Sequence, residues 1–350
     1  MDNALKETRR LGYSPFASVK DLSVVVMYCH IDGGHLPISQ LFPNLARLTI
    51  EGRGKIFKPH MLVKHLALKQ LVALRLNREQ PCDIALHDLL QELPALRYLE
   101  MHLSKSPSPG PEASLDTGMT VFTHRKLETL ELCHGKFDAE IPHSCRFPSL
   151  TSLSIKGGGE TMATSLPNPL VTNLTNLLSF TQLRALRLKD VYSSYNDHDL
   201  VSVFATIPTL EILFMHVGWK HWPLVQCRFI FDILTNDPLR SEAILPRLMA
   251  VFVTTDDSEA TNPGNGEKEE EDSELGAYFT TLCAFRDSFI RFTEQRFLEG
   301  PTEGGRSTMC ALRIARFEAK KLTSYSRGLD LGECLSGRLW RRACKRGFLR

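Results

Sequence analysis

Apolar and polar positions alternate along this chain in one recurring six-residue phrase, apolar at its first, fourth and sixth places. Clear copies run from Leu45 to Ile50, Leu71 to Leu76, Leu96 to Met101 and Leu127 to Leu132. Others begin at Leu150, Leu183, Leu210 and Leu248, and two weaker copies span Leu22 to Met27 and Met309 to Ile314. Side chains in a strand alternate between faces, so the fourth and sixth places share one face. Leu48 with Ile50, Leu130 with Leu132, and Leu186 with Leu188 are thereby predicted to face one interior. The first leucine enters that interior from the turn before the strand.

Successive clear copies, counted from Leu45 to Leu248, start 26, 25, 31, 23, 33, 27 and 38 residues apart. Most lie near the ~20–29 residues of leucine-rich repeats, whose phrase is L-x-x-L-x-L, and the long ones carry insertions. Between phrases, Ile84 to Leu93 has helical spacing and stops at Leu93-Pro94; Phe204 and Ile207-Pro208 play the same part before Leu210. One repeat cannot bury its leucine edge alone, whereas stacked repeats share a continuous core. The expected fold class is therefore α/β: a leucine-rich-repeat solenoid, with a curved parallel sheet on the concave side and helices on the convex side. A doubly wound α/β enzyme also alternates strands and helices, but its strands read as continuous apolar runs. Here Leu alternates with Arg, Glu, Thr and Ser.

Composition changes this picture at the ends and at two insertions. Residues 1–21 read as a poorly ordered lead-in, 22–322 as the solenoid and 323–350 as a basic tail holding Leu339, Trp340 and Phe348. Residues 104–120, rich in Ser, Pro and Gly, are expected to form a mobile loop, and residues 254–275 an acidic, disordered insertion. The segment Ala277 to Leu298 reads as a long amphipathic helix, followed by a last strand from Met309 to Ile314. A net charge of +2 gives no global pull toward nucleic acid or membrane, and no run of about 18 apolar residues is present. The nine cysteines are scattered, without C-x-x-C, and the start lacks a signal-peptide core, which together point to a reducing compartment, cytoplasmic or nuclear.

No catalytic signature is present: no G-x-S-x-G, no H-E-x-x-H, no phosphate loop and no kinase set. Cys133-His134 and His143-x-Cys145 form the one Cys/His cluster, at spacings unlike those of zinc fingers. The expectation is a protein that is not an enzyme and takes no cofactor and no metal.

Recognition is then assigned to the strand places that do not face the core. The third, fifth and seventh places project onto the concave surface, and the predicted partner-binding residues are Arg75, Tyr98, Glu100, His102, Arg187, Lys189, Ile212, Phe214, His216 and Phe252. The middle of this face is polar and mixed in charge, which suits a protein surface better than a polyanion. Toward its C-terminal end Ile212, Phe214 and Phe252 form an apolar patch with Arg187, Lys189 and His216 at its rim. A covering of this patch by the long helix or by the tail is the competing expectation.

The set F-P-x-L-x-x-L-x-I at Phe42 to Ile50 and Phe147 to Ile155, with I-P-x-L before the next strand, resembles fungal F-box leucine-rich-repeat proteins. The resemblance covers roughly residues 20–322. It implies an F-box that binds the Skp1 adaptor of a cullin-RING ubiquitin ligase, and repeats that hold the substrate. Only about twenty residues precede the first strand here, with no recognisable F-box, so a Skp1–cullin complex is not expected of the sequence as it stands. What carries over is a non-catalytic, intracellular protein-interaction module that takes a protein target on its concave face. The alternative function is a nuclear or nucleic-acid-associated scaffold using the basic tail.

Overall fold

Each clear phrase builds one strand, because its fourth and sixth side chains need a shared dry side and its other places tolerate water. The computed structural model describes residues 14, 16–27, 41–53, 69–78, 86–103, 122–134, 145–156, 182–189, 202–218, 230–234, 244–256, 286–296, 312 and 314–319. The chain divides into two compact units, one of Met1–Gly158 with Thr172–Gln182, the other of Gly159–Val171 with Leu183–Arg350.

In the first unit the strands are β1 (Asp21–Met27), β2 (Arg47–Arg53), β3 (Ala73–Arg78), β4 (Tyr98–Leu103), β5 (Phe122–Thr123), β6 (Thr129–His134), β7 (Cys145–Arg146) and β8 (Ser152–Lys156). A parallel sheet runs in the order β1-β2-β3-β4-β6-β8, and β5 pairs with β7 in a separate two-stranded sheet. In the second unit β9 (Ala185–Lys189), β10 (Ile212–Gly218), β11 (Ala250–Asp256) and β12 (Ile314–Ala319) are parallel and in sequence order. Among the described residues helices are few: α1 (Leu86–Glu92), the short α2 (Ile230–Leu234), and helical backbone at 202–205 and 286–296. This is a mostly parallel sheet in sequence order, a repeat-like α/β arrangement.

Register stacks like on like. Leu48, Leu74, Leu99, Leu130 and Leu153 follow one another across the first unit, with Ile50, Leu76, Leu132 and Ile155 two places on, and all are buried. Each such side chain contributes about 1.5–3 kcal/mol by leaving water. The repeats are also tied at the strand entry, where the carbonyl at the second place of one phrase accepts two backbone N–H groups of the next. Ala46 takes those of Val72 and Ala73, Val72 those of Arg97 and Tyr98, and Glu211 those of Met249 and Ala250, all at 2.8–3.1 Å. The side chain just before the leucine adds a further tie. Asn44 donates to Ala17 O, Gln70 to Pro43 O, Ser149 to Arg125 O and Thr209 to Leu183 O.

Both weak phrases are out of phase with the expectation by three residues. Leu22 pairs with Leu48 and Val24 with Ile50, so Leu22 holds the fourth place, and Val25, read as inward, is 53% exposed. At the other end Ile314 pairs with Ala250 and Ala315 with Val251. The last strand is thus Ile314–Ala319, with buried Leu312 as the entering leucine. L-x-x-L read without strong neighbours has this built-in ambiguity, since either leucine can stand first. β11 also continues through Thr254, Thr255 and Asp256, the first residues of the stretch read as the acidic insertion. Residues 257–275, the loop at 104–120 and the tail at 323–350 lie outside the described residues. The end of the lead-in is packed on the first unit: the Ser14 hydroxyl bonds Leu41 O, and Phe16 stacks on Phe42 at 5.2 Å.

In the second unit, residues 286–296 pack on α2. Phe231 meets Phe289 edge-on at 5.1 Å and Phe292 at 5.4 Å, and Arg291 pairs with Asp232 at 2.9 Å. Arg296, only 5% exposed, donates to Ile244 O at 2.7 Å and so braces Leu245, a non-glycine residue at φ 55°. Two polar atoms of this helix are buried without a hydrogen-bond partner, Ser288 Oγ and Glu294 Oε1. Ser288→Ala is expected to raise stability by about 1 kcal/mol, since it removes a desolvated hydroxyl.

Burial holds the Glu294 carboxyl above the usual glutamate range. The folded state therefore binds that proton more tightly than the unfolded chain does. Its stabilising effect is complete at acid pH and is lost as pH rises through the folded value. Glu294→Gln is expected to be more stable than the parent at neutral pH, with the gain shrinking on acidification; urea titrations across pH check this.

Candidate functional site

Strand alternation leaves the third, fifth and seventh places on the sheet face away from the leucine core, and wherever their side chains are described they are half-buried or exposed, Ala250 excepted. Each unit carries its own constellation on that face.

In the first unit the register sets Arg75 opposite Glu100 and Glu100 opposite Glu131, with Tyr98 one place-pair before Glu100. The Tyr98 hydroxyl is the hub. Arg75 Nη2 donates to it at 3.2 Å, and the hydroxyl lies 3.0 Å from Glu100 Oε2 and 2.9 Å from Glu131 Oε1. Arg75 Nε also pairs with Glu100, and the guanidinium sits 5.8 Å from the Tyr98 ring centroid. Burial pushes the Tyr98 pKa up; the Arg75 hydrogen bond opposes this, and Glu131 and Glu100 add to it. Arg75 is raised in turn, chiefly by its hydrogen bond to Tyr98 and by Glu100. The phenol thus keeps its proton and shares it between two carboxylates. This arrangement fixes Arg75, Tyr98 and Glu100 as a group against one another, and it brings in Glu131, which the sequence reading did not single out. His102 lies on β4 opposite Cys133, and its side chain is outside the described residues.

In the second unit β9, β10 and β11 bring the remaining predicted residues together. The fifth-place row reads Arg187, Phe214, Phe252, and the seventh-place row Lys189, His216, Thr254. Phe214 and Phe252 stack with centroids 4.5 Å apart and planes 11° from parallel. Phe214 is 37% exposed, one of three large apolar side chains described as exposed. Ile212, half-buried, stands two places before Phe214, and His216 Nδ1 lies 2.8 Å from Thr254 Oγ1. The described part of the long helix, 286–296, packs on α2 and leaves Phe214 in water.

Signals for chemistry are sparse. Cys145 is buried, and burial pushes its thiol up to about 11, so it stays a protonated, poorly nucleophilic thiol at neutral pH. Among the described residues no group of His, Cys, Asp and Glu is placed to hold a metal ion; His143 lies outside them. No helix among the described residues is long and apolar enough to cross a membrane.

No protein-family model matches the chain, and no curated protein matches it. Among solved structures it is similar to a Bacteroides fragilis protein whose crystal structure came from a structural genomics consortium. That likeness has 14% identity and a TM-score of 0.45, and covers 79% of this chain and 78% of the other.

Proposed function

We propose that this chain is a non-catalytic protein-recognition module of the leucine-rich-repeat type. It takes its partner on the open sheet face, with Phe214 and Phe252 as the anchor. The observation that carries this reading is the parallel stack of two phenylalanines on a face that water reaches. Aromatic anchors ringed by polar groups dominate the binding energy of protein interfaces, and an exposed apolar patch commonly marks such a site. Arg187, Lys189 and His216 form the polar rim. The phrase spacing and the F-P-x-L entries favour the repeat family, and the likeness to F-box repeat proteins extends the reading to a substrate receptor for a ubiquitin ligase.

The test compares capture from the chain's own cells by the tagged parent and by a Phe214→Thr, Phe252→Thr variant, with quantitative mass spectrometry. Threonine keeps strand propensity, so the fold is expected to survive, and circular dichroism checks that. Loss of the anchor is expected to cut recovery of direct partners at least ~10-fold, the effect of ~1.4 kcal/mol. Equal recovery by a folded variant overturns the reading.

A further inference from the structure

We propose that the open face of the second unit takes an extended acidic peptide segment, one whose carboxylates flank an apolar side chain. The inference rests on the anchor reading above and adds the chemistry of the partner.

The first support is how the rings are held. Phe214 and Phe252 stand on neighbouring parallel strands at the same register position, 4.5 Å apart and nearly parallel. Strand spacing is itself about 4.8 Å, so the two ring planes stand across the inter-strand direction and each covers a face of the other. Stacking covers one face of each ring and leaves the ring edges uncovered, as a ledge on a sheet face where Phe214 is exposed. An aromatic ring carries negative charge on its face and positive charge at its edge, so this ledge attracts carboxylates and gives apolar contact to an aliphatic or aromatic side chain.

The second support is the charge beside the ledge. β9 sets Arg187 opposite Phe214 and Lys189 opposite His216. Arg187 is exposed and Lys189 half-exposed, and among the described residues neither has an ion-pair partner. On the third-, fifth- and seventh-place rows of the described strands of this unit the one acidic residue is Glu318, at the seventh place of β12. The neighbouring Glu211 sits at the second place and faces Arg184 at 3.9 Å. β12 sets Arg316 opposite Phe252 and Glu318 opposite Thr254. On these rows the register thus sets Arg187, Lys189 and Arg316 against Glu318 alone, and beside positive ring edges that leaves a local cationic excess that an acidic ligand neutralises.

Single-stranded nucleic acid would also answer to cations and aromatics, but it binds by stacking bases on open ring faces. Here each ring spends a face on the other, and Ile212 extends the apolar surface. The geometry favours a peptide.

The experiment selects random linear peptides from a display library on the full chain, with a parallel selection on the Phe214→Thr, Phe252→Thr variant. Winners lost on that variant are measured by fluorescence anisotropy against the parent and against Arg187→Glu, Lys189→Glu. The expected winners carry Asp or Glu on both sides of an apolar residue. Their affinity should fall at least ~10-fold on charge reversal and weaken as salt is raised. Phe-dependent winners without acidic enrichment, or indifferent to charge reversal, overturn the acidic assignment and leave the anchor standing. Winners retained on the Phe214→Thr, Phe252→Thr variant sink the anchor reading itself. Displacement of the winners by a polyuridylate oligonucleotide at lower concentration than by free peptide assigns the face to nucleic acid and overturns the proposal.

Discussion

Phe147→Ala is expected to cost about 3–5 kcal/mol, the range for truncating a buried aromatic side chain. Phe147 is 0% exposed, and it begins the F-P-x-L entry to β8. Its carbonyl accepts the Leu150 N–H at 3.0 Å, so the backbone turn stays possible in the variant and the loss comes from packing. Truncation leaves a void beside the stacked leucines, and a close-packed interior forfeits contacts on every side of a void. Lys126→Ala, at an exposed position just before Leu127, should stay within about 0.5 kcal/mol. Urea unfolding followed by far-ultraviolet circular dichroism separates the two. A cost under about 1 kcal/mol for Phe147→Ala would mean that this entry is not a packing point.

The second large effect is expected at His124. Three residues before Leu45, Leu96 and Leu150 stands an apolar side chain, Phe42, Leu93 or Phe147, whose carbonyl accepts the leucine N–H. At Leu127 the same place holds His124, 3% exposed, and the leucine N–H goes to the ring Nδ1 at 3.2 Å. The other ring nitrogen, Nε2, lies 3.1 Å from Leu93 O, one repeat back. Since Nδ1 accepts, Nε2 carries the proton and donates, and the imidazole joins two repeats in its neutral form. His124→Ala removes both bonds and opens a cavity, for an expected loss of about 2–4 kcal/mol. His124→Phe restores the side chain found in the neighbouring repeat and lets the residue's own carbonyl take the N–H, for an expected loss of about 1 kcal/mol. Equal losses in the two variants would show that the cross-repeat bond to Leu93, absent from both, sets the whole effect.

The eight clear phrases were legible because burial is periodic and strong: each entering leucine, and each fourth and sixth residue, is buried where the phrase puts it. α1 was legible for the same reason, with Leu86, Leu89 and Leu90 at helical spacing and a proline stop. The outer copies slipped by three because Leu22 and Leu312 each lack a strong partner leucine, and strand pairing, which fixes the phase, is not written in a single segment. β5 and β7 went unread, since two-residue strands carry no period. They stand five residues before Leu127 and Leu150, pairing Phe122 with Cys145, in place of the helix found before Leu96. The side-chain ties at Asn44, Gln70, Ser149 and Thr209 did leave a signal, a hydrogen-bonding residue directly before the leucine, which a search for apolar periodicity passes over.

Of the candidate site, strand alternation gave the surface and the register gave the neighbours, so Phe214 beside Phe252 and Arg75 near Glu100 followed directly. The sharing of one phenol between Glu100 and Glu131 did not, because it depends on rotamers that register leaves open. Nor does a phrase count reveal the division into two units, which falls in the long interval between Leu150 and Leu183.

The most direct test of the recognition reading is photo-crosslinking in the cells that make the chain, with benzoylphenylalanine placed at position 214, at 252 or at 205. Ala205 is exposed but belongs to the helical stretch 202–205 and not to the sheet face. One discrete protein adduct common to 214 and 252, and none at 205, is expected. The same adduct from all three positions, or none from 214 and 252 in a folded chain, would contradict it.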